Sequence, residues 1–113
     1  MGRFKINPGE LKHPIIIQEI SLVKDPKDFI NKPKWIDKIK TRAKILNVRG
    51  DEYIQAQGVG LKTEKTFYIR ASRLHQINEE DRILYKDIPY EIEYINDIEN
   101  LGKWLEIKAK RCK

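Results

Sequence analysis

Between residues 35 and 48 the chain alternates with a period of two. Ile39, Thr41, Ala43 and Ile45 fall on one side, and Lys38, Lys40, Arg42 and Lys44 on the other. Successive side chains of a β-strand point to opposite faces, so this register gives one face to bury and one basic face for solvent or a partner. In a helix the same charges would surround the axis and leave no apolar stripe. The segment is therefore a strand, and a half-buried strand needs a sheet to belong to.

The sequence supplies that sheet. His13-Pro14-Ile15-Ile16-Ile17-Gln18-Glu19-Ile20 is a β-branched run and makes the first strand, with Pro14 at its start or on an edge, where a missing amide donor costs least. Residues 62–72 form a third strand, in which Phe67, Ile69 and Ala71 alternate with Thr66, Tyr68 and Arg70. Residues 81–85 and 90–95 read as a hairpin joined by Lys86-Asp87-Ile88-Pro89, a tight turn without the usual glycine. A second turn at 96–102 leads to a last alternating strand at 104–110. About six short strands at this spacing make a mainly β domain, a small antiparallel barrel or sandwich, and closure would remove exposed strand edges.

Three stretches stand apart from the strands. Residues 1–12 read as an N-terminal arm with a turn at Asn7-Pro8-Gly9. Residues 24–34 are charged and contain two prolines, which predicts a long, mobile, solvated hairpin loop, with a basic finger reaching a neighbouring subunit or DNA as its functional reading. Residues 50–58 predict one short helix: Tyr53 and Gln57, and Glu52 and Ala56, stand four apart, Asp51 and Glu52 suit the positive end of the helix dipole, and Gly58 is placed to stop it. Tyr53 and Ile54 are the residues expected to anchor this helix, which is too short to be stable alone.

At 113 residues the chain reads as one domain spanning 1–113. The net charge of +6 is unevenly spread. Residues 24–44 carry eight basic and three acidic residues and 103–113 five and one, whereas 45–102 carry seven and eleven. Two basic segments around an acidic centre favour charge-complementary self-assembly as much as nucleic-acid binding. A single cysteine, Cys112, allows no internal disulfide. No apolar run is long enough to span a membrane and no signal-peptide pattern is present.

Catalytic constellations are missing from the pattern. His13 and His75 are the only histidines and neither has ligands at metal-binding spacing, so no metal or cofactor is expected. Gly58-Val59-Gly60 is too short for a phosphate cradle, and Glu79-Glu80-Asp81 reads as a solvated acidic loop. Cys112, among Lys110, Arg111 and Lys113, reads as a terminal strand residue rather than an activated thiol. The chain is not expected to be an enzyme. The lysine face at 38–44 has no interleaved aromatic, so phosphate attraction is plausible and base readout is not indicated. A monomeric nucleic-acid-binding barrel of the OB or SH3-like type is the alternative that this face keeps open.

Taken in order, several stretches resemble the phage head–tail joining proteins, also called head-closure, head-completion or stopper proteins. They are Asn7-Pro8-Gly9 with Leu11, the run ending at Gln18-Glu19, and Trp35 with Ala43-Lys44-Ile45. Then follow Gly50, Glu52, Tyr53, Ala56 and Gln57, then Ile69-Arg70, Asp81-Arg82-Ile83-Leu84-Tyr85 and Tyr90-Glu91-Ile92, and a last strand closing near Cys112. The likeness covers about residues 8–112. The loop at 24–34 lacks glycines often seen there, Asp87-Ile88 lacks a frequent glycine, and Ala71-Ser72 replaces a common aromatic-basic pair.

The resemblance implies a small β-barrel with one short helix, working as a homo-oligomeric ring, usually of twelve copies, at the head–tail junction of a virion made in the bacterial host cytoplasm. Such a ring sits below the portal and its adaptor, closes the channel on packaged double-stranded DNA, and offers a platform to the tail-completion protein. No membrane is involved, and the isolated protein is expected to be a monomer or weak oligomer. On this reading the channel-facing segment is 48–64, with Glu52, Gln55, Gln57, Gly58, Gly60 and Lys62 as candidates for gating. The interface candidates are Lys24, Lys27, Lys32, Lys34, Lys38, Lys40, Arg42 and Lys44.

Overall fold

The computed structural model describes residues 7–47, 63–71, 76–100 and 102–112. Six strands run in chain order: β1 (His13–Lys24), β2 (Asn31–Asn47), β3 (Lys65–Arg70), β4 (Arg82–Tyr85), β5 (Ile88–Asp97) and β6 (Trp104–Arg111). They close into an antiparallel barrel in the order β1-β2-β3-β6-β5-β4. The choice between barrel and sandwich, open in the pattern alone, falls to the barrel, because β1 pairs with β2 on one side and with β4, at residues 16–18, on the other. The short helix expected at 50–58, with Glu52, Tyr53, Ile54, Gln55, Gln57 and Gly58, lies outside the described residues, as do Gly60 and Lys62.

The apolar face foreseen on β2 is the buried one. Ala43 is fully enclosed and Ile39 and Ile45 pack against a core of Ile15, Ile17, Phe67, Ile69, Ile83, Tyr90, Ile92, Ile107 and Ala109. Every strand contributes to this core, so no hairpin of the barrel is stable without the others. Phe67 lies edge-on to Tyr90 at 5.6 Å and to Tyr85 at 6.4 Å, and the Tyr85 hydroxyl shares a 3.2 Å hydrogen bond with His13 Nδ1. His13 is thus tied to a core aromatic.

Two bulges bend the strands around the core. Ile17 pairs with Ile39 and Gln18 with Asp37, which leaves Lys38 as the extra residue of β2; Ile92 pairs with Ala109 and Tyr94 with Lys108, which leaves Glu93 as the extra residue of β5. The turn from β4 to β5 is just Lys86 and Asp87, with φ of 51° and 63°. Two successive left-handed residues are what a two-residue hairpin of matching twist requires, here without glycine.

The expected boundaries move most at residues 24–34. β1 continues past Ile20 to Lys24 and β2 begins at Asn31, in unbroken pairing from Ile20 with Trp35 to Lys24 with Asn31. Only residues 25–30 leave the ladder, so the long loop is replaced by a long hairpin with a short turn. Asp25 shapes that turn by accepting the Lys27 amide at 2.8 Å, and Asp28 accepts the Ile30 amide at 3.1 Å. The 24–34 prolines do not oppose this: Pro26 is in the turn, and Pro33 needs no amide donor on a side of β2 that has no strand neighbour there among the described residues.

The N-terminal arm closes part of the outer wall. Its foreseen turn is present, as a 3₁₀ turn at Pro8–Glu10 with the Gly9 amide donating to Asn7 Oδ1 at 3.0 Å. Leu11 then packs with Trp104 on Tyr68 and Ile98, a second small cluster on the barrel's outside. Tyr68 is consequently 8% exposed, although strand alternation directs it away from the core.

Candidate interaction surface

The β1–β2 hairpin outgrows the barrel. Beyond Gln18 and Asp37 neither strand has a second neighbour among the described residues, so residues 19–24 and 31–36 form a two-stranded ribbon. Six residues at strand rise give it a reach of roughly 20 Å. Cross-strand pairing puts Ile20 with Trp35 and Leu22 with Pro33 on one face, and Glu19 with Ile36, Ser21 with Lys34 and Val23 with Lys32 on the other. The first face is apolar and open: Leu22 is 68% exposed, Ile20 52% and Trp35 37%, and Phe29 and Ile30 at the tip are equally unburied. Contiguous exposed apolar faces of this kind are candidate interaction surfaces.

A polar network fixes the ribbon to the barrel. Asp81, 5% exposed just before β4, accepts the Asn78 amide at 2.9 Å and binds Lys38 Nζ at 3.0 Å; Glu19 stands 3.6 Å from the same ammonium. Gln18 donates to Asp37 Oδ1 at 2.8 Å and accepts from Arg82 Nε at 2.8 Å. The Arg82 guanidinium lies over the Trp35 ring at 4.4 Å. Residues of β1, β2 and β4 therefore meet at the ribbon's base. Charge-assisted bonds of this kind fix orientation more than they add stability.

The eight basic interface candidates are divided by this geometry. Lys32 is held by Asp25 at 3.1 Å and Asp28 at 2.9 Å, Lys38 by Asp81, and Lys44 by Glu10 at 2.6 Å. The Asp25 carboxyl is held below its ordinary value, first by the Lys27 amide and then by Lys32, and the Asp28 carboxyl, first by Lys32. Glu10 is lowered first by its bond to Lys44. Lys24 sits over the Phe29 ring at 5.2 Å. Lys27, Lys34, Lys40 and Arg42 are exposed and have no ion pair among the described residues. The uniform lysine face of the alternating pattern is broken at Lys38, because the bulge diverts that residue inward to Asp81.

What the pattern did not show was the apolar side of the ribbon. Its signal was present in Ile20-Ser21-Leu22-Val23, but ending the strand at Ile20 hid it. Among the described residues no cluster of three or more His, Cys, Asp or Glu is arranged to hold a metal. The Cys112 thiol is raised above its ordinary value, mainly by burial and then by Glu91, which is opposite to an activated thiol.

The fold defines the chain as a small closed six-stranded antiparallel β-barrel with a projecting, partly apolar hairpin. Within that class the family is shown by sequence: residues 6–111 match the phage head completion protein family, and the chain belongs to it. It thereby has a structural role in the phage head and a place in the virion. The fold is shared with a protein of Shigella flexneri 2a solved in solution, at TM-score 0.70 and 21% identity over 94% of this chain and 96% of that one. It is also shared with a chain in the virion of a native gene transfer agent particle, at TM-score 0.58 and 16% identity over 90% and 96%. No curated protein matches the chain.

Proposed function

We propose that this protein forms a homo-oligomeric ring at the head–tail junction of a phage or prophage, below the portal and its adaptor. There it closes the DNA channel after packaging and receives the tail-completion protein. The observation that carries the reading is the projecting ribbon in a member of the head completion family: an arm about 20 Å long with an open apolar face suits contact with a neighbouring copy. The role is structural and calls on no catalytic group, metal or cofactor.

In this reading Lys24, Lys27 and Lys34 frame the contact, and Lys38 acts indirectly by holding the ribbon at its angle. The segment 48–64 between β2 and β3 faces the channel, with Glu52, Gln55, Gln57, Gly58, Gly60 and Lys62 as the closing residues and Tyr53 and Ile54 as anchors. The test is deletion of residues 50–58. Heads completed with the deleted protein should lose packaged DNA while the barrel keeps its thermal transition. Normal DNA retention would remove the closing role. Tight, salt-sensitive binding of free DNA by a monomer with no affinity for a connector would instead favour the OB- or SH3-like reading.

A further inference from the structure

The outer wall formed by β2, β1 and β4 carries a second feature. A groove of about 450 Å³ is floored there by Pro14, Ile16 and Leu84 and rimmed by Lys40, Arg42 and Lys86. Strand pairing sets these side chains in rows across the wall, Lys40 beside Ile16 and Leu84, and Arg42 beside Pro14. Alternation turns them outward, because Ile15, Ile17, Ala43 and Ile83 on the same strands line the core. Lys40 and Arg42 are two residues apart on β2, which separates them by roughly 7 Å. Neither has an ion pair among the described residues, and Lys86 rests over the Tyr85 ring at 5.4 Å. Asp87 is the one acid in the lining.

Such a groove selects its occupant on two counts. Its cations call for carboxylates or phosphates, and its floor calls for apolar side chains. A nucleic-acid backbone answers the first alone. It brings no apolar side chain to Pro14, Ile16 and Leu84, and the lining holds no aromatic ring on which a base could stack. An extended peptide answers both. Its alternate residues lie on one side at the spacing of Lys40 and Arg42, and the residue between them lies on the other, over the floor. The matching pattern is acid, apolar, acid. This chain contains it twice, as Glu91-Ile92-Glu93 and Asp97-Ile98-Glu99, and neither is available. Ile92 and Ile98 are buried in the barrel's own clusters, Lys110 holds Glu91 at 3.0 Å, and Glu93 and Glu99 have partners within the chain. The occupant is therefore a segment of a different protein.

We propose that the groove is a docking site for an extended acidic segment of a partner protein. Two of its carboxylates meet Lys40 and Arg42, the apolar side chain between them covers Pro14, Ile16 and Leu84, and a further carboxylate reaches Lys86. Asp87 limits the acidic run at that end, because it repels a carboxylate set beyond Lys86. Docking of this kind needs no ring and leaves the ribbon face free, so its test is separate from that of the ring reading.

The probe is a short synthetic peptide of alternating glutamate and leucine, titrated into the isotope-labelled full chain and followed by amide and methyl resonances. Saturable shifts are expected at residues 14–16, 40–42 and 84–87. Exchanging the peptide's leucines for serine, or its glutamates for glutamine, should each weaken binding by about tenfold or more. Lys40→Gln/Arg42→Gln in the protein should weaken it equally, with an unchanged melting curve; Lys86→Gln, in the exposed turn, takes its place if the double variant does not fold. The proposal is overturned if the peptide produces no saturable shifts at these residues, if the glutamate–serine peptide binds as well as the glutamate–leucine one, or if folded groove variants bind like the wild type. It is also overturned if a short DNA duplex displaces the peptide from the same residues at lower concentration, which would make the groove a phosphate-binding surface.

Discussion

Removing the Asp81 carboxylate is the sharpest perturbation of the ribbon's base. In Asp81→Ala the Lys38 ammonium, whose side chain is 13% exposed, loses its partner at 3.0 Å, and the Asn78 amide loses its acceptor at 2.9 Å. Breaking a buried pair by deleting one member costs about 3–5 kcal/mol, because the other charge is left poorly solvated. Here the low end applies. Glu19, 47% exposed and 3.6 Å from Lys38 Nζ, remains to share the charge, and Asn78 lies at the surface, where water replaces the lost acceptor. At the average unfolding entropy per residue a chain of 113 residues loses about 4 °C per kcal/mol, so a cost of about 3 kcal/mol lowers Tm by about 12 °C. The assay is calorimetry at neutral pH, with amide exchange on residues 35–38 as the local readout. Lys38→Met/Asp81→Leu strands no charge and should cost less than Asp81→Ala alone. A Tm within 3 °C of wild type for Asp81→Ala, or a double variant that costs the full sum of its singles, would refute the coupling argued here.

Other expectations follow from the turn, the arm and the ribbon face. Asp87→Gly should raise stability by up to about 0.5–1 kcal/mol in urea unfolding, since a φ of 63° costs glycine less than aspartate. Leu11→Ala should cost about 1–2 kcal/mol and expose Tyr68 to solvent, read from tyrosine ring shifts, because Leu11 covers that ring from outside. Leu22→Asn should leave the melting curve unchanged and reduce incorporation into connectors, as Leu22 is 68% exposed in the free chain. The 25–30 turn should respond to pH at both extremes. Asp25 and Asp28 are depressed below their ordinary 3.8, so their contribution is present above that value and is lost as pH falls through their folded values. Lys32 is raised above its ordinary 10.5, first by Asp28 and then by Asp25, so its contribution is complete below 10.5 and is lost as pH rises through its folded value. Amide shifts of residues 25–30 should therefore hold steady between these limits and move below about pH 3.8.

The sequence by itself determined the strands and the sides they bury. Alternation is a local property, and Ile39, Ala43, Phe67, Ile69 and Ile107 all lie inward as their spacing requires. The ordered set of short matches from Asn7 to Cys112 also reached the family, because each match is a stretch of adjacent residues. Tertiary structure decided what depends on contacts between distant residues. Barrel closure rests on three pairs between β1 and β4, more than sixty residues apart in sequence. The fate of the lysine face was decided by Asp81 and Glu10, since a cation is free or paired according to which carboxylate the fold brings near. Tyr68 reads as an outward strand residue, and only the arm's return across the wall buries it. The ribbon reads as a loop in the sequence for a similar reason. Charges and prolines are signals of solvent exposure, and a projecting hairpin is as exposed as a loop; what separates them is the cross-strand pairing of residues 20–24 with 31–35, which no single strand's sequence records.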